Sequence, residues 1–461
     1  MSLLVDQFGY KFMEAARPSR QRPWQTSAAR DLDDLVSLAD HSTIIGASRR
    51  LFANEGIIKG AVEGKASYSV GASFIPEYQG PDPQWGAAAK EWLLNWFSIC
   101  STQGPVFDWQ TILYLLSVGI DRDGDSFLLL TEQSGVPAVQ LVPAHRVGQR
   151  DSKPRVESGG YRGLRIRKGV ISNRVGRPVA YRVLGDTPAE DKDVSARDLL
   201  HLFEPVYAEA CRGLPLFSHA INAFRDMAEA NEREMAAMLL ISSLGFIEYN
   251  EHGGPDFDNP LLQYDSDGTP SCLAMESGMV KFYKSGDGSR LEELSANRPG
   301  PNYQAFHDRL IRSALVGTGW PLSLVNMSDG NGTADRISLL QGRKAVQDRQ
   351  HLLKPFAKRI ITYALGKAID SGILPASRGF WQWDFSTCNQ LSIDLGRDSN
   401  ALREEYKLGL KNLSGILAEE GKSLEAHLRE RAEEAALAER IRAEVEARTG
   451  TKINPEAMRL N

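Results

Sequence analysis

Asp121-Arg-Asp-Gly-Asp125 sets three carboxylates in five positions, the way a calcium-binding loop begins. A hard cation takes several such oxygens at short range. The bidentate glutamate and the other ligand positions of an EF-hand are missing, so the spacing predicts a solvated turn ahead of a strand. Ser328-Asp-Gly-Asn-Gly-Thr333 has the glycines and hydroxyls of a phosphate cradle. It lacks the lysine that follows the second glycine of a Walker motif, and no strand runs cleanly into it. A flexible loop with a mechanical task is the expectation. The histidines make no HxH, HExxH or HxxxH pattern, and no GxSxG elbow is present. No catalytic, metal or cofactor site is therefore expected. His201 sits in the apolar run 199–203 and reads as a satisfied core histidine. Trp85, Trp92, Trp96 and Trp109 have faces that stack on bases, but their helical spacing among apolar neighbours assigns them to a core.

These residues hang on a mixed α+β pattern. Helical periodicity runs from Leu32 to Asn54 and again over 57–69, and 70–76 reads as a strand. Gly80-Pro-Asp-Pro83 precedes a helix carrying the first three tryptophans, and Asp108 can cap the next, over 109–118. The period then turns strand-like at 126–131 and 139–142, joined by a turn at Gly135, and continues through 170–171, 179–184 and 199–203. Pro215 suits a first helical position. A long helix from there to Ser243 has a heptad-like seam of Phe217, Ile221, Phe224, Ala228, Asn231, Met235, Met238 and Ser242. Such a helix is hard to bury in one subunit, which favours self-association. Residues 244–302 read as a compact β insertion, and 303–316 as a returning helix. Separate helices are expected at 335–353 and 355–371, a strand at 381–385, and a charged helical tail from 398 to 448, broken near Gly421.

Composition narrows the function classes. A hydrophobic share of 42% and a charged share of 25% fit a globular chain and exclude wholesale disorder. Lys plus Arg is 54 against 59 Asp plus Glu, a formal charge of −5. That argues against a strongly basic nucleic-acid binder and leaves sliding contact with DNA open. Cys100, Cys211, Cys272 and Cys388 have neither metal-ligand nor CxxC spacing and are expected as reduced thiols. The apolar run 236–241 is too short for a bilayer. Met1 to Arg22 holds no apolar stretch of signal-peptide length. The sequons at Asn326, Asn331 and Asn412 are thus not expected to carry glycans.

The order of several short motifs resembles the lambda-like family of tailed-phage portal proteins. They are Ser48-Arg-Arg-Leu51 through Asn54 to Val70-Gly71, Gly124-Asp-Ser-Phe-Leu128, and Val139-Gln-Leu-Val-Pro143 with Arg146-Val147. The most specific is Gly176-Arg-Pro-Val-Ala-Tyr181, followed by Leu200-His201 and Arg212-Gly-Leu-Pro215. Gly319-Trp-Pro-Leu322 resembles the family's "GiP" turn, with Trp320 where a small or aliphatic residue is usual. Gly396-Arg-Asp398 through Gly409 and Asn412-Leu-Ser414 resembles its C-terminal segment. The loop at 326–333 departs from the family's serine- and tyrosine-rich pattern.

The resemblance implies a portal-protein fold: an α/β wing, long stem helices, a small β-rich clip and a helical crown. On this sequence it implies a flexible N-terminal arm at 1–30, a wing at 31–210 and 335–395, and stem helices at 211–243 and 303–318. The clip would be 244–302, the tunnel loop 319–334 and the crown 396–461. It further implies a homo-oligomeric ring, usually of about twelve copies, closed by heterologous contacts. The ring would stand at one capsid vertex of the virion, after synthesis in the host cytoplasm. Double-stranded DNA would pass its channel with weak, sequence-independent contact. Terminase large subunit, head–tail adaptor and major capsid or scaffold protein would dock on it. Membrane and cofactor have no place. The tunnel loop would present Asn326, Ser328, Asp329, Gly330, Asn331, Gly332, Thr333 and Arg336, with Asp329 repelling phosphate. Arg225, Glu229, Glu232, Arg233, Met235 and Met238 would line the channel or pack subunits. The competing readings are another head–tail connector or ring adaptor, and a hydrolase built on the Asp/Gly loops.

Overall fold

The computed structural model describes residues 36–71, 74–250, 262–264, 270–272, 279–284, 290–293, 301–325, 332–387, 395–419 and 424–450. Helix α1 (Leu38–Asn54) starts at a capping box, in which Asp40 N–H bonds Ser37 Oγ at 3.1 Å and Ser37 N–H bonds Asp40 Oδ2 at 3.2 Å. That cap sets the start six residues later than periodicity suggests. Glu55 is extended and separates α1 from α2 (Gly56–Val70). The strand expected from Val70 begins later, as β1 (Ile75–Tyr78), because Val70 still packs on the helix and Gly71 turns the chain at φ +49°. Asp82 caps α3 (Pro83–Phe97), and Asp108 caps α4 (Trp109–Asp123) through Thr111 N–H at 2.8 Å.

Strands β2 (Asp125–Gln133) and β3 (Val136–Val142) form a hairpin whose Ser134-Gly135 turn has both φ values positive, the geometry that matches strand twist. β4 (Arg165–Arg167), β5 (Val170–Ser172), β6 (Pro178–Val183) and β7 (Lys192–Ser195) make a four-stranded antiparallel meander. β8 (Leu199–Phe203) returns to the free edge of β2, giving the order β3-β2-β8.

Helix α5 (Ile221–Ser243) begins six residues after Pro215. Pro215 opens a turn instead, its carbonyl accepting from Ser218 N–H at 2.9 Å, while Leu216 N–H is held by Asp121 O at 2.9 Å. These tethers keep the chain out of helical geometry until Phe217. Strands β9 (Leu244–Asn250), β10 (Leu262–Tyr264), β11 (Pro270–Cys272), β12 (Met279–Lys284) and β13 (Arg290–Glu293) follow. β9 is central, parallel to β12 and antiparallel to β13, and β10 pairs with β11. The β insertion expected between two helices is thus present in its described strands.

Helix α6 (Pro301–Val316) returns, and α7 (Gly332–Asp370) is one helix of 39 residues. It would be roughly 58 Å long. The expected stop at Pro355 does not occur. Leu353, Ala357, Ile360 and Ile361 are fully buried around the exposed proline, and their burial outweighs the roughly 3 kcal/mol that proline costs a helix interior. Strand β14 (Trp383–Ser386) pairs antiparallel with β1 across the chain. Helices α8 (Leu395–Lys407), α9 (Leu413–Glu419) and α10 (Leu424–Thr449) end the described chain, with a further break at Gly409 (φ +71°).

Of the four hydrophobic clusters among the described residues, the two largest hold the helices together. One packs α3, α4, β1, β14, β2 and the second half of α7, and it contains Trp85, Trp96 and Trp109, as their spacing predicts. The other packs α2, the start of α5, the end of α6 and Trp320. Cys100 and Cys211 are free thiols; the side chains of Cys272 and Cys388 lie outside the described residues.

Candidate functional site

The acidic turn expected to be solvated is buried. Asp121, Asp123 and Asp125 are each at most 2% exposed. Each is closed by cations from distant parts of the chain, so α4 can continue through its acidic end. Asp125 Oδ2 accepts from Arg212 Nε at 2.6 Å, and Oδ1 from His201 Nε2 and Gly213 N–H, both at 2.8 Å. Arg212 donates further to the carbonyls of Val147, Lys168 and Ala144 and lies over the Phe127 ring. Asp123 takes a bidentate fork from Arg49 at 2.8 Å and a second from its neighbour Arg122. Asp121 accepts from Arg349 at 2.6 Å, with the Lys65 ammonium 3.6 Å away. Arg349 also bonds Ser117 and reaches Glu204 at 3.3 Å.

Burial by itself would raise the Asp125 pKa, but the Arg212 charge and the His201 and Gly213 hydrogen bonds outweigh it and hold the carboxyl well below its ordinary range. Asp123 is likewise lowered, burial being overcome by Arg49 and Arg122. Burial lowers His201, against the pull of Asp125, so the imidazole sits neutral and donates through Nε2. His41 contacts Gly213 O at 3.2 Å, and burial, aided by the Arg212 charge, brings it down to about 4. His201 is therefore a satisfied core histidine, as read from its run. Its partner is one of the aspartates that spacing had assigned to solvent. With every carboxylate committed to a cation, this hub is a clamp, not a calcium loop. Among the described residues no group of metal ligands is assembled elsewhere.

The clamp fixes the base of α5. Gly213 packs against Gly124, leaving no room for a Cβ at either position. Phe217, Ala220, Phe224 and Met227 then bury against α2 and α6. The seam thus moves from the expected Ala228, which is exposed, to Met227. His219 Nε2 bonds Ala314 O at 3.0 Å, and the Tyr303 hydroxyl donates to Asn231 Oδ1. These two contacts define an antiparallel α5–α6 hairpin. Beyond Asn231 no described residue of α5 is buried: Met235 is 54% and Leu239 67% exposed.

Of the residues predicted to line a channel or pack subunits, Arg225, Glu229, Glu232 and Arg233 are exposed on this helix, with Glu229 and Arg233 ion-paired, and Met238 is half-buried. The predicted loop divides. Asn326 to Asn331 lie outside the described residues. Gly332 and Thr333 belong to the first turn of α7, and Arg336 is exposed on that helix. The turn leading to it rests on buried Trp320, which packs near Tyr68 of α2. A cavity of about 900 Å³ opens beside it, lined by Lys65, Arg312, Trp320, Ile337, Leu340 and Lys344. No local spacing signals Arg49, Lys65, Arg212 or Arg349 as partners of the aspartates; Arg212 was visible only inside the motif 212–215.

Residues 17–350 match the family described as phage portal protein, lambda family. The chain belongs to that family. It is a phage portal protein, a structural component of the capsid vertex and not an enzyme. No curated protein matches it. Among solved structures, it is similar to a chain described as the neck of a native GTA particle computed with C12 symmetry. That match has 14% identity and a TM-score of 0.46, covering 85% of this chain and 96% of the other. A chain from the virion of a native gene transfer agent particle matches at 12% identity and a TM-score of 0.42, covering 81% and 92%. A third, from the neck of an empty GTA particle computed with C6 symmetry, matches at 12% and 0.44 with the same coverage. No helix among the described residues is long and apolar enough to cross a membrane.

Proposed function

We propose that this portal protein closes into a homo-oligomeric ring whose channel carries double-stranded DNA during packaging and ejection. The observation that carries the reading is the α5–α6 hairpin: clamped and buried at its base, it runs on with apolar side chains uncovered in a single chain. Residues 31–210 and 335–395 act as the wing, α5 and α6 as the stem, 244–302 as the clip, and α8 to α10 as the crown. Terminase large subunit and head–tail adaptor dock at the clip, and capsid or scaffold protein at the wing.

The charge supports a conduit over a clamp. Each phosphate contact made by a cation is strongly favourable through counterion release, so a basic channel would stall moving DNA. Six charged residues of the stem helix, Arg225, Asp226, Glu229, Glu232, Arg233 and Glu234, place two cations among four acids. That composition guides without gripping. Asp329, which lies in sequence between α6 and α7, acts as a repeller, so Asp329→Lys slows packaging.

Native mass spectrometry of the purified full chain, with electron micrographs of the same sample, tests the assembly. The expected result is one closed ring of about twelve copies with a central hole. A stable monomer or dimer at micromolar concentration would overturn the reading.

A further inference from the structure

We infer that neighbouring copies pair through a specific antiparallel register, one flank of the stem hairpin carrying an α5 stripe and the opposite flank an α6 stripe. The inference rests on the ring reading and names the surface that closes it.

The in-chain face of α5 is Phe224, Met227 and Asn231; that of α6 is Tyr303, His307, Leu310 and Ala314. One residue further along α5 lie Arg225, Ala228 and Glu232, continued by Met235 and Leu239, and all five are exposed. One residue back along α6 lie Phe306, Arg309 and Ser313, continued by Val316, also all exposed. Each stripe is rotated by about 100° from its in-chain face. Because the two helices are antiparallel, a step forward on one and a step back on the other rotate in the same sense seen down the hairpin. The two in-chain faces look at each other, so the two stripes end on opposite flanks. Self-complementary patches would give an isologous dimer, whereas two different patches on opposite flanks give a head-to-tail contact that closes into a ring.

The stripes also fit each other. Laid antiparallel, Met235 meets Phe306, Glu232 meets Arg309, Ala228 meets Ser313 and Arg225 meets Val316. The apolar pair holds Met235 at 54% and Phe306 at 57% exposure in the single chain. The charged pair is opposite in sign, and neither member has an ionic partner among the described residues. The small pair lets the two backbones approach. Within one chain Asn231 faces Tyr303, whereas between copies it would face Leu310. The neighbour is thus slid by two turns, roughly 11 Å, which a stem tilted against the ring axis produces.

The test uses the full chain. In preformed rings, Met235→Cys with Phe306→Cys is expected to oxidise to a ladder of covalent multimers, and either cysteine alone to give none. Glu232→Arg or Arg309→Glu should lower the ring fraction in native mass spectra by roughly tenfold or more, since each sets like charges face to face. The double reversal should restore it, with far-ultraviolet circular dichroism spectra unchanged throughout. Rings that persist with either single reversal, or that form no inter-copy disulfide, overturn the register and leave the ring reading standing. A wild-type chain that never forms rings overturns both.

Discussion

The charge hub and the stem hairpin hold similar residue types and treat them in opposite ways. At the hub, Asp121, Asp123 and Asp125 are sealed by five cations drawn from α1, α2, α4, α7 and the segment before α5. On the hairpin, the pair of Glu229 and Arg233 stays in solvent, and Glu232 and Arg309 stand open. The hub completes itself within one chain and stiffens the point from which the stem departs. The hairpin is complete only when another copy covers its flanks. A portal must be rigid where its stem is anchored and adhesive where copies meet, and the two regions divide those tasks.

The comparison breaks most visibly at Arg212. Arg212→Met leaves Asp125 buried with only the neutral His201 and one amide for partners. Unfolding by denaturant should show a loss of about 3–5 kcal/mol, the usual effect of removing one member of a buried pair. A loss near zero would mean that the hub does not anchor the fold.

Next in size is acidification. His41 is held at about 4 in the fold against an ordinary 6.5. The unfolded chain therefore binds the proton first, and stability falls as pH drops from 6.5 towards 4, by up to about 3 kcal/mol. His201 is shifted in the same direction and adds to the slope. Asp125, lowered in the fold, loses its contribution only at more acid pH, below the ordinary carboxylate range. Denaturation curves from pH 7 to 4 should therefore be flatter for His41→Gln than for the wild type.

What was legible in the sequence tracks the range of the forces. Asp108 was readable as a cap, and Gly135 as a turn, because those interactions span at most a few residues. The β insertion and the returning helix were legible from period and punctuation. The hub was not: Asp125 and Arg212 are 87 positions apart, and Asp121 and Arg349 228. Nothing local distinguishes a carboxylate awaiting a buried guanidinium from one awaiting water. The same blindness shortened α4 at Val118. At Pro355 the local rule read a stop, and core burial on both sides overrode it.

Pro355→Ala isolates that conflict. Pro355 is exposed within α7, so alanine should stabilise by about 1–3 kcal/mol in thermal or denaturant melts. Destabilisation would show that the proline ring itself is needed by the packing.

The smallest effect belongs to the hairpin. Arg233→Ala removes an exposed i,i+4 pair with Glu229 and should change monomer stability by less than about 0.5 kcal/mol. A larger loss would place that pair inside the fold and erase the contrast with the hub.

The most direct measurement is amide hydrogen exchange on the full chain, as the assembled ring and as the Glu232→Arg monomer. Ring formation should slow exchange along 228–243 and 301–316 while leaving the hub, from Asp121 to Asp125 and from Arg212 to Leu216, equally protected in both states. Equal exchange along the hairpin in ring and monomer, or protection gained at the hub instead, would contradict the division between a self-completed anchor and a stem completed by its neighbours.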